Sequence, residues 1–308
     1  MDSTAFTLQA RIGSEGLTGT GDSAFGMVAD VALGEDGAVY VADPTQRRIL
    51  VFDSVGRYQR SIGRTGQGPG EFLVPFRLLV RDSLLVVFDV RLSRVSIFET
   101  GGTFRTSFRV PVPGIQDMSW GPRGALAFSV ARDSFRLHLY SLQGMRVARL
   151  VRAPPGDAAI TGPYFPPPGG ACALRDGFVY ANPWVYEVVR FSDAAGSEIK
   201  WVRRDPSAPI RPGPPFIHGV EPEMPAAALL GLECGDNLIV LAYFERKSEE
   251  LTYDLIGADG AAIGRYRTHR SDSWAFPGFL ADLKHDKIAA WRSRPVPQVV
   301  IYQVGHRQ

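Results

Sequence analysis

Histidine beside carboxylate is the usual ground for metal or acid–base chemistry at neutral pH. This chain offers five histidines, His138, His218, His269, His285 and His306. His218 has Glu221 and Glu223 close behind it. Together with His269 these make a possible donor set, since neutral imidazole and carboxylate suit Zn, Fe or Mn. The cofactor implied is a divalent metal ion held by His218, His269 and Glu221. A second constellation is Asp30, Arg77 and Asp117, three charges at equivalent places of three successive repeats, able to anchor a polar ligand. A third is aromatic and cationic: Trp184, Tyr186, Phe216 and Arg246. Trp, Tyr and Arg are enriched where proteins bind partners, and Arg takes a carboxylate bidentately. No nucleophile elbow, His-Glu-x-x-His or paired-carboxylate motif is present. Gly63–Phe72, GRTGQGPGEF, imitates a phosphate loop but lacks the Gly-Lys-Ser/Thr ending and leads into a strand.

The elements that would position these residues are short strands. Gly37–Gly63, GAVYVADPTQRRILVFDSVGRYQRSIG, contains three apolar or alternating runs separated by Asp-Pro and Asp-x-x-Gly turns. Val28–Leu33 supplies a fourth run. An aromatic residue or Ile followed four residues later by Gly recurs at Phe52/Gly56, Phe98/Gly102, Tyr140/Gly144 and Ile256/Gly260, and at Phe191/Gly196 with one residue added. Six units result, at about 26–63, 70–110, 115–151, 169–205, 226–268 and 276–304, within one domain of 308 residues. The sixth lacks its outer strand. Phe6–Gly13, FTLQARIG, matches the outer strand YQRSIG of the first unit, with Ile12-Gly13 on Ile62-Gly63. A ring closed by its N-terminal strand would protect its sheet edges in this way.

The pattern G-x-V-Y-V-A-D…R-I-x-V-F-D-x-x-G…I-G, followed by GxGxGEF, resembles the NHL-repeat type of six-bladed β-propeller and the bacterial group of secreted or lipid-anchored six-bladed propellers. The resemblance spans the chain and is strongest over the first two units. It implies an all-β fold of six four-stranded antiparallel blades, the last completed by the N-terminal strand. It implies a compartment outside the cytoplasm, periplasmic or secreted, with a cytoplasmic one still open. It does not fix a function, because such propellers host binders and enzymes alike. The favoured reading is recognition of a peptide, polymer, small molecule or partner protein by a monomer. The alternative is a metal-assisted hydrolase or lyase with its site at the channel mouth. Two Pro-rich stretches, Arg152–Gly170 and Asp205–Pro225, join outer to inner strands, and long connections on one face suggest where binding occurs. Trp184, Tyr186, Phe216, His218, Arg246 and His269 are expected around one depression there.

A formal charge of +2 gives no strong overall field for nucleic acid or anionic lipid. All but four of the 34 basic residues are Arg. No apolar run reaches a membrane span. Cys172 and Cys234 form no metal-binding motif. Alignment on the terminal turns sets them two residues apart in level, about 7 Å along a strand. That offset predicts two buried free thiols, with a bond between neighbouring sheets as the other possibility.

Overall fold

The computed structural model describes residues 6–13, 24, 26–130, 133–152, 170–174, 176–182, 186–192, 198–205, 227–235, 237–245, 250–269, 278–282, 287–292 and 297–304. After β1 (Phe6–Ile12), blade one is β2 (Asp30–Leu33), β3 (Val39–Asp43), β4 (Arg48–Phe52) and β5 (Tyr58–Ile62). A short parallel pair follows, β6 (Arg64–Thr65) with β7 (Glu71–Phe72). Blade two is β8 (Pro75–Arg81), β9 (Leu84–Asp89), β10 (Arg94–Glu99) and β11 (Phe104–Arg109). Blade three is β12 (Ile115–Trp120), β13 (Leu126–Val130), β14 (Phe135–Tyr140) and β15 (Arg146–Arg152). Blade four is β16 (Gly170–Leu174), β17 (Gly177–Ala181), β18 (Glu187–Phe191) and β19 (Ile199–Arg204). Blade five is β20 (Ala227–Cys234), β21 (Leu238–Glu245), β22 (Glu250–Gly257) and β23 (Ala262–His269). Blade six is β24 (Gly278–Asp282), β25 (Lys287–Arg292), β26 (Gln298–Val304) and, as its fourth strand, β1. The fold is a six-bladed β-propeller of four-stranded antiparallel meanders.

The recurring aromatic-to-glycine spacing has a physical cause. Between the third and fourth strands the register slips by one residue, at Phe52, Phe98, Tyr140, Phe191 and Ile256. Four residues on, Gly56, Gly102, Gly144 and Gly260 have φ between +83° and +106°. Each N–H of these glycines bonds the carbonyl three residues back. A tight turn closed by a left-handed residue and a bulge requires glycine there.

The strands fall into two compact units, described separately. One comprises Asp2–Pro111 and Ser271–Gln308, the other Val112–Arg270. In the first, β1 pairs with β26 from Phe6 opposite Val304 to Ile12 opposite Val299. Ala10 and Ile12 are buried among Val31, Leu50, Val299 and Ile301, so β1 also fills the core between blades six and one. Gly13 and Gly63 have φ of +75° and +80°, which confirms the equivalence of the two outer strands. A second core joins blades one and two through Tyr40, Ile49, Phe72, Leu85 and Phe98.

In the second unit, Leu137, Leu139, Phe178 and Phe191 join blades three and four. Val179, Val188, Leu229, Leu241 and Tyr243 join blades four and five. Here the expectation of free thiols is corrected: Cys172 and Cys234 are disulfide-bonded, with Cα atoms 5.6 Å apart. The cause is Gly170. A Cβ on it would lie 2.6 Å from Leu232 Cβ, so β16 presses its bare backbone against β20 and sets 170 level with 232. Two residues on, 172 is level with 234. Alignment on the hairpin turns cannot see this sideways packing.

Candidate functional site

Two aspartates of the first unit, Asp43 and Asp89, are engaged by their own repeats. Asp43 is fully buried at the end of β3. Its Oδ1 accepts from Thr45 and Gln46 N–H at 2.9 and 3.1 Å, and its Oδ2 from Gly26 N–H at 2.8 Å. Asp89, equally buried, repeats the arrangement with Arg91, Leu92, Leu73 and Val74 N–H, all within 3.0 Å. One carboxylate thus folds its own turn and holds the chain arriving at the same blade. The first residue of the third strand takes the carbonyls. Arg48 donates to Ala24 O, and Arg94 to Gln67 O and Glu71 O. Arg48 and Arg94 are therefore structural clamps.

The glycine-rich crossing holds an anion of its own. Gly68 N–H donates to Glu71 Oε2 at 2.8 Å, and Arg64 Nε to Glu71 Oε1 at 2.9 Å. Those bonds keep the Glu71 carboxyl below its ordinary range, the Gly68 bond foremost. The glycines admit Phe72 and Glu71, since a Cβ on Gly63 would lie 2.2 Å from the Phe72 ring.

Asp30 and Arg77 lie on the first strands of blades one and two. Asp30 Oδ2 accepts from Leu78 N–H at 2.8 Å, tying β2 to β8. The Arg77 guanidinium stands 4.4 Å from the centre of the Phe76 ring. Asp117, in the other unit, is half-buried on β12 opposite Ser129.

Blades four and five share a polar network that the sequence reading missed. Tyr186 is buried, and its Oη donates to Asp254 Oδ2 at 2.5 Å. Arg265 grips Asp254 with Nε and Nη2, at 2.6 and 2.8 Å, and reaches Asp205 at 2.8 Å. Burial, then the Asp254 carboxylate, raises the Tyr186 phenol above its usual range. Hydrogen bonding to Asp254 holds Arg265 firmly protonated. Tyr186 is a fixed donor in this arrangement, and Asp254 accepts three hydrogen bonds. Breaking such a buried set by removing one partner costs about 3–5 kcal/mol. The signal available beforehand was an Asp in the middle of the apolar run LTYDLIG. Nearby, Arg190 donates to Ala258 O and to Asp176, and Trp201 Nε1 donates to Ala258 O at 3.1 Å.

His138 is fully buried on β14, with Nε2 3.6 Å from Asp133 Oδ1. Burial pushes its pKa down. Trp184, Phe216, His218, Glu221 and Arg246 lie outside the described residues, and His269 is the last residue of β23. Of the expected depression, the structure thus places Tyr186 at the blade four–five contact. Among the described residues no group of three or more His, Cys, Asp or Glu is arranged to hold a metal ion. No helix there is long and apolar enough to cross a membrane.

Comparison with known proteins supports the architecture. A family model described as 6-bladed beta-propeller matches residues 20–132, a little over a third of the chain. No curated protein matches the sequence. Among solved structures, a candidate exported protein from Bacteroides fragilis is similar with a TM-score of 0.65 at 11% identity, over 99% of this chain and 97% of that one. A member of the duf4221 family from Bacteroides vulgatus gives 0.61 at 11% identity, over 98% and 99%. Virginiamycin B lyase from Staphylococcus aureus gives 0.53 at 14% identity, over 98% and 90%. At these identities the likeness is one of fold. The six meanders and the family match agree that the chain is a six-bladed β-propeller.

Proposed function

We propose that this chain is a recognition propeller acting outside the cytoplasm, which takes a peptide, polymer or partner protein through the connections of blades four and five. The observation that carries the reading is the commitment of its strongest acid–base groups to the fold. Asp43 and Asp89 hold turns, Glu71 fills its own loop, and Asp254 is shared by Tyr186 and Arg265. Groups bonded in this way position backbone and rings, and leave recognition to the connections. Trp184 and Arg246 are the proposed anchors, one for an apolar or planar group and one for a carboxylate. The bond between Cys172 and Cys234 supports an oxidising compartment. So does the name of the Bacteroides fragilis structure.

The test is selection of displayed peptides on the immobilised, oxidised protein. The best sequence is then titrated against Trp184→Ala and Arg246→Ala. Each variant is expected to raise Kd more than about fivefold, near 1 kcal/mol, with an unchanged melting temperature. Unchanged affinity in both removes the anchors. The competing hydrolase or lyase reading rests on His218, His269 and Glu221, and stoichiometric transition metal in the purified protein would bring it ahead.

A further inference from the structure

The near-neutral balance of the whole chain hides a sorting of charge by strand. The outermost strands of blades three, four and five, RVARLVR, IKWVRR and AIGRYRTH, carry eight Arg or Lys and no Asp or Glu. The carboxylates that meet them lie outside these three strands. Asp176 faces Lys200, Glu187 pairs with Arg204, and Asp205 and Asp254 hold Arg265. β15 is different. Its three arginines are exposed, and Arg149 and Arg152 stand 4.7 and 5.6 Å from the centre of the Phe135 ring. Beside them Met145 and Val147 are 66% and 63% exposed, the most exposed large apolar side chains among the described residues. On the neighbouring blade, Ile199 and Val202 are 56% and 40% exposed on β19.

Protection of a sheet edge against strand pairing explains charge there, but either sign would serve. It does not explain Met, Val and Ile turned to water between the cations. A soluble polyanion would use the cations and gain nothing from the aliphatic groups. Arginine surplus interleaved with exposed aliphatic side chains is the chemistry that meets an anionic lipid surface, phosphates taking the guanidinium groups and the boundary below them taking the apolar groups. We propose that the outer edge of blades three and four, β15 with β19, docks on an anionic bilayer surface. This surface is separate from the connections assigned above to ligand recognition, and either assignment can fail without the other.

The experiment is co-sedimentation of the full, oxidised chain with vesicles of phosphatidylcholine alone, or with phosphatidylglycerol mixed in. Binding is expected only with phosphatidylglycerol, and to weaken as salt is raised. The double variant Arg146→Gln, Arg149→Gln should weaken it about tenfold or more. The variant Met145→Ser, Val147→Ser should weaken vesicle binding by a similar factor, while retention on a heparin column stays that of the parent protein. All four side chains are exposed, so melting temperatures should hold. Equal binding to both vesicle types overturns the proposal. So does unchanged vesicle binding by the serine variant, which would make the edge a site for soluble polyanions.

Discussion

Asp89 shows how much one side chain can be asked to do. Four backbone N–H groups converge on a carboxylate that has no exposed surface. In sequence such a residue, following a β-strand and preceding an Arg, looks like chemistry. Its repetition at Asp43 is what marks it as architecture. His138 is the residue where pH enters. Its neutral form is buried, so its folded pKa lies below the ordinary value of about 6.5 that the unfolded chain would show. Between those two values the unfolded state binds more protons, so stability rises with pH. The expected outcome is a urea midpoint that falls as pH drops below about 6.5. His138→Gln should flatten that dependence. A parent protein with the same midpoint at pH 8 and pH 5 would show that His138 titrates alike in both states.

At the scale of elements, the disulfide joins the first strands of two adjacent blades across 62 residues. Closing a loop of that length in the unfolded chain is worth about 4 kcal/mol on the chain-entropy account. Cys172→Ser should therefore lower the unfolding free energy by roughly that amount, and thiol titration of the denatured, unreduced parent should find no free thiol. Two thiols would sink the pairing. The elements themselves were readable: β-branched runs and the aromatic-to-glycine interval located the third strands and their hairpins. What stayed hidden was lateral. Nothing along one strand tells how far its neighbour slides, and Gly170 against Leu232 decided the level of the cysteines. The blade four–five network was hidden for the same reason, since Tyr186 and Asp254 are 68 residues apart and meet only through blade packing. Phe216, His218 and Glu221 sit on a Pro-rich connection, where no period of 2 or 3.6 says which way a side chain points.

For the whole molecule, the fourth strand of blade six decides how the chain's ends behave. Ile12 is almost fully buried between Val31, Leu50 and Ile301. Removing residues 1–13 leaves the edge of β26 that faces away from β25 unpaired and opens that core. Truncation should cost well over the roughly 3 kcal/mol expected for Ile12→Ala alone. Hydrogen exchange would locate the damage: the β26 amides that face away from β25 should lose protection while those of β16 and β17 keep theirs. Retained protection of the β26 amides that face away from β25 would mean that β1 is not its partner.

The pairing of β1 with β26 also sets a timetable. Ile12 leaves the ribosome 287 residues ahead of its partner Val299. At about 5–20 residues per second, the first strand waits roughly 15–60 s for the last. Blades one to five can collapse in order during that interval, while an apolar strand with open backbone edges hangs from the first of them. A newly made chain is thus an adhesive intermediate until β26 arrives. Helper proteins that shield extended apolar segments would be needed most just before β26 is made, when five of the six blades have already been built.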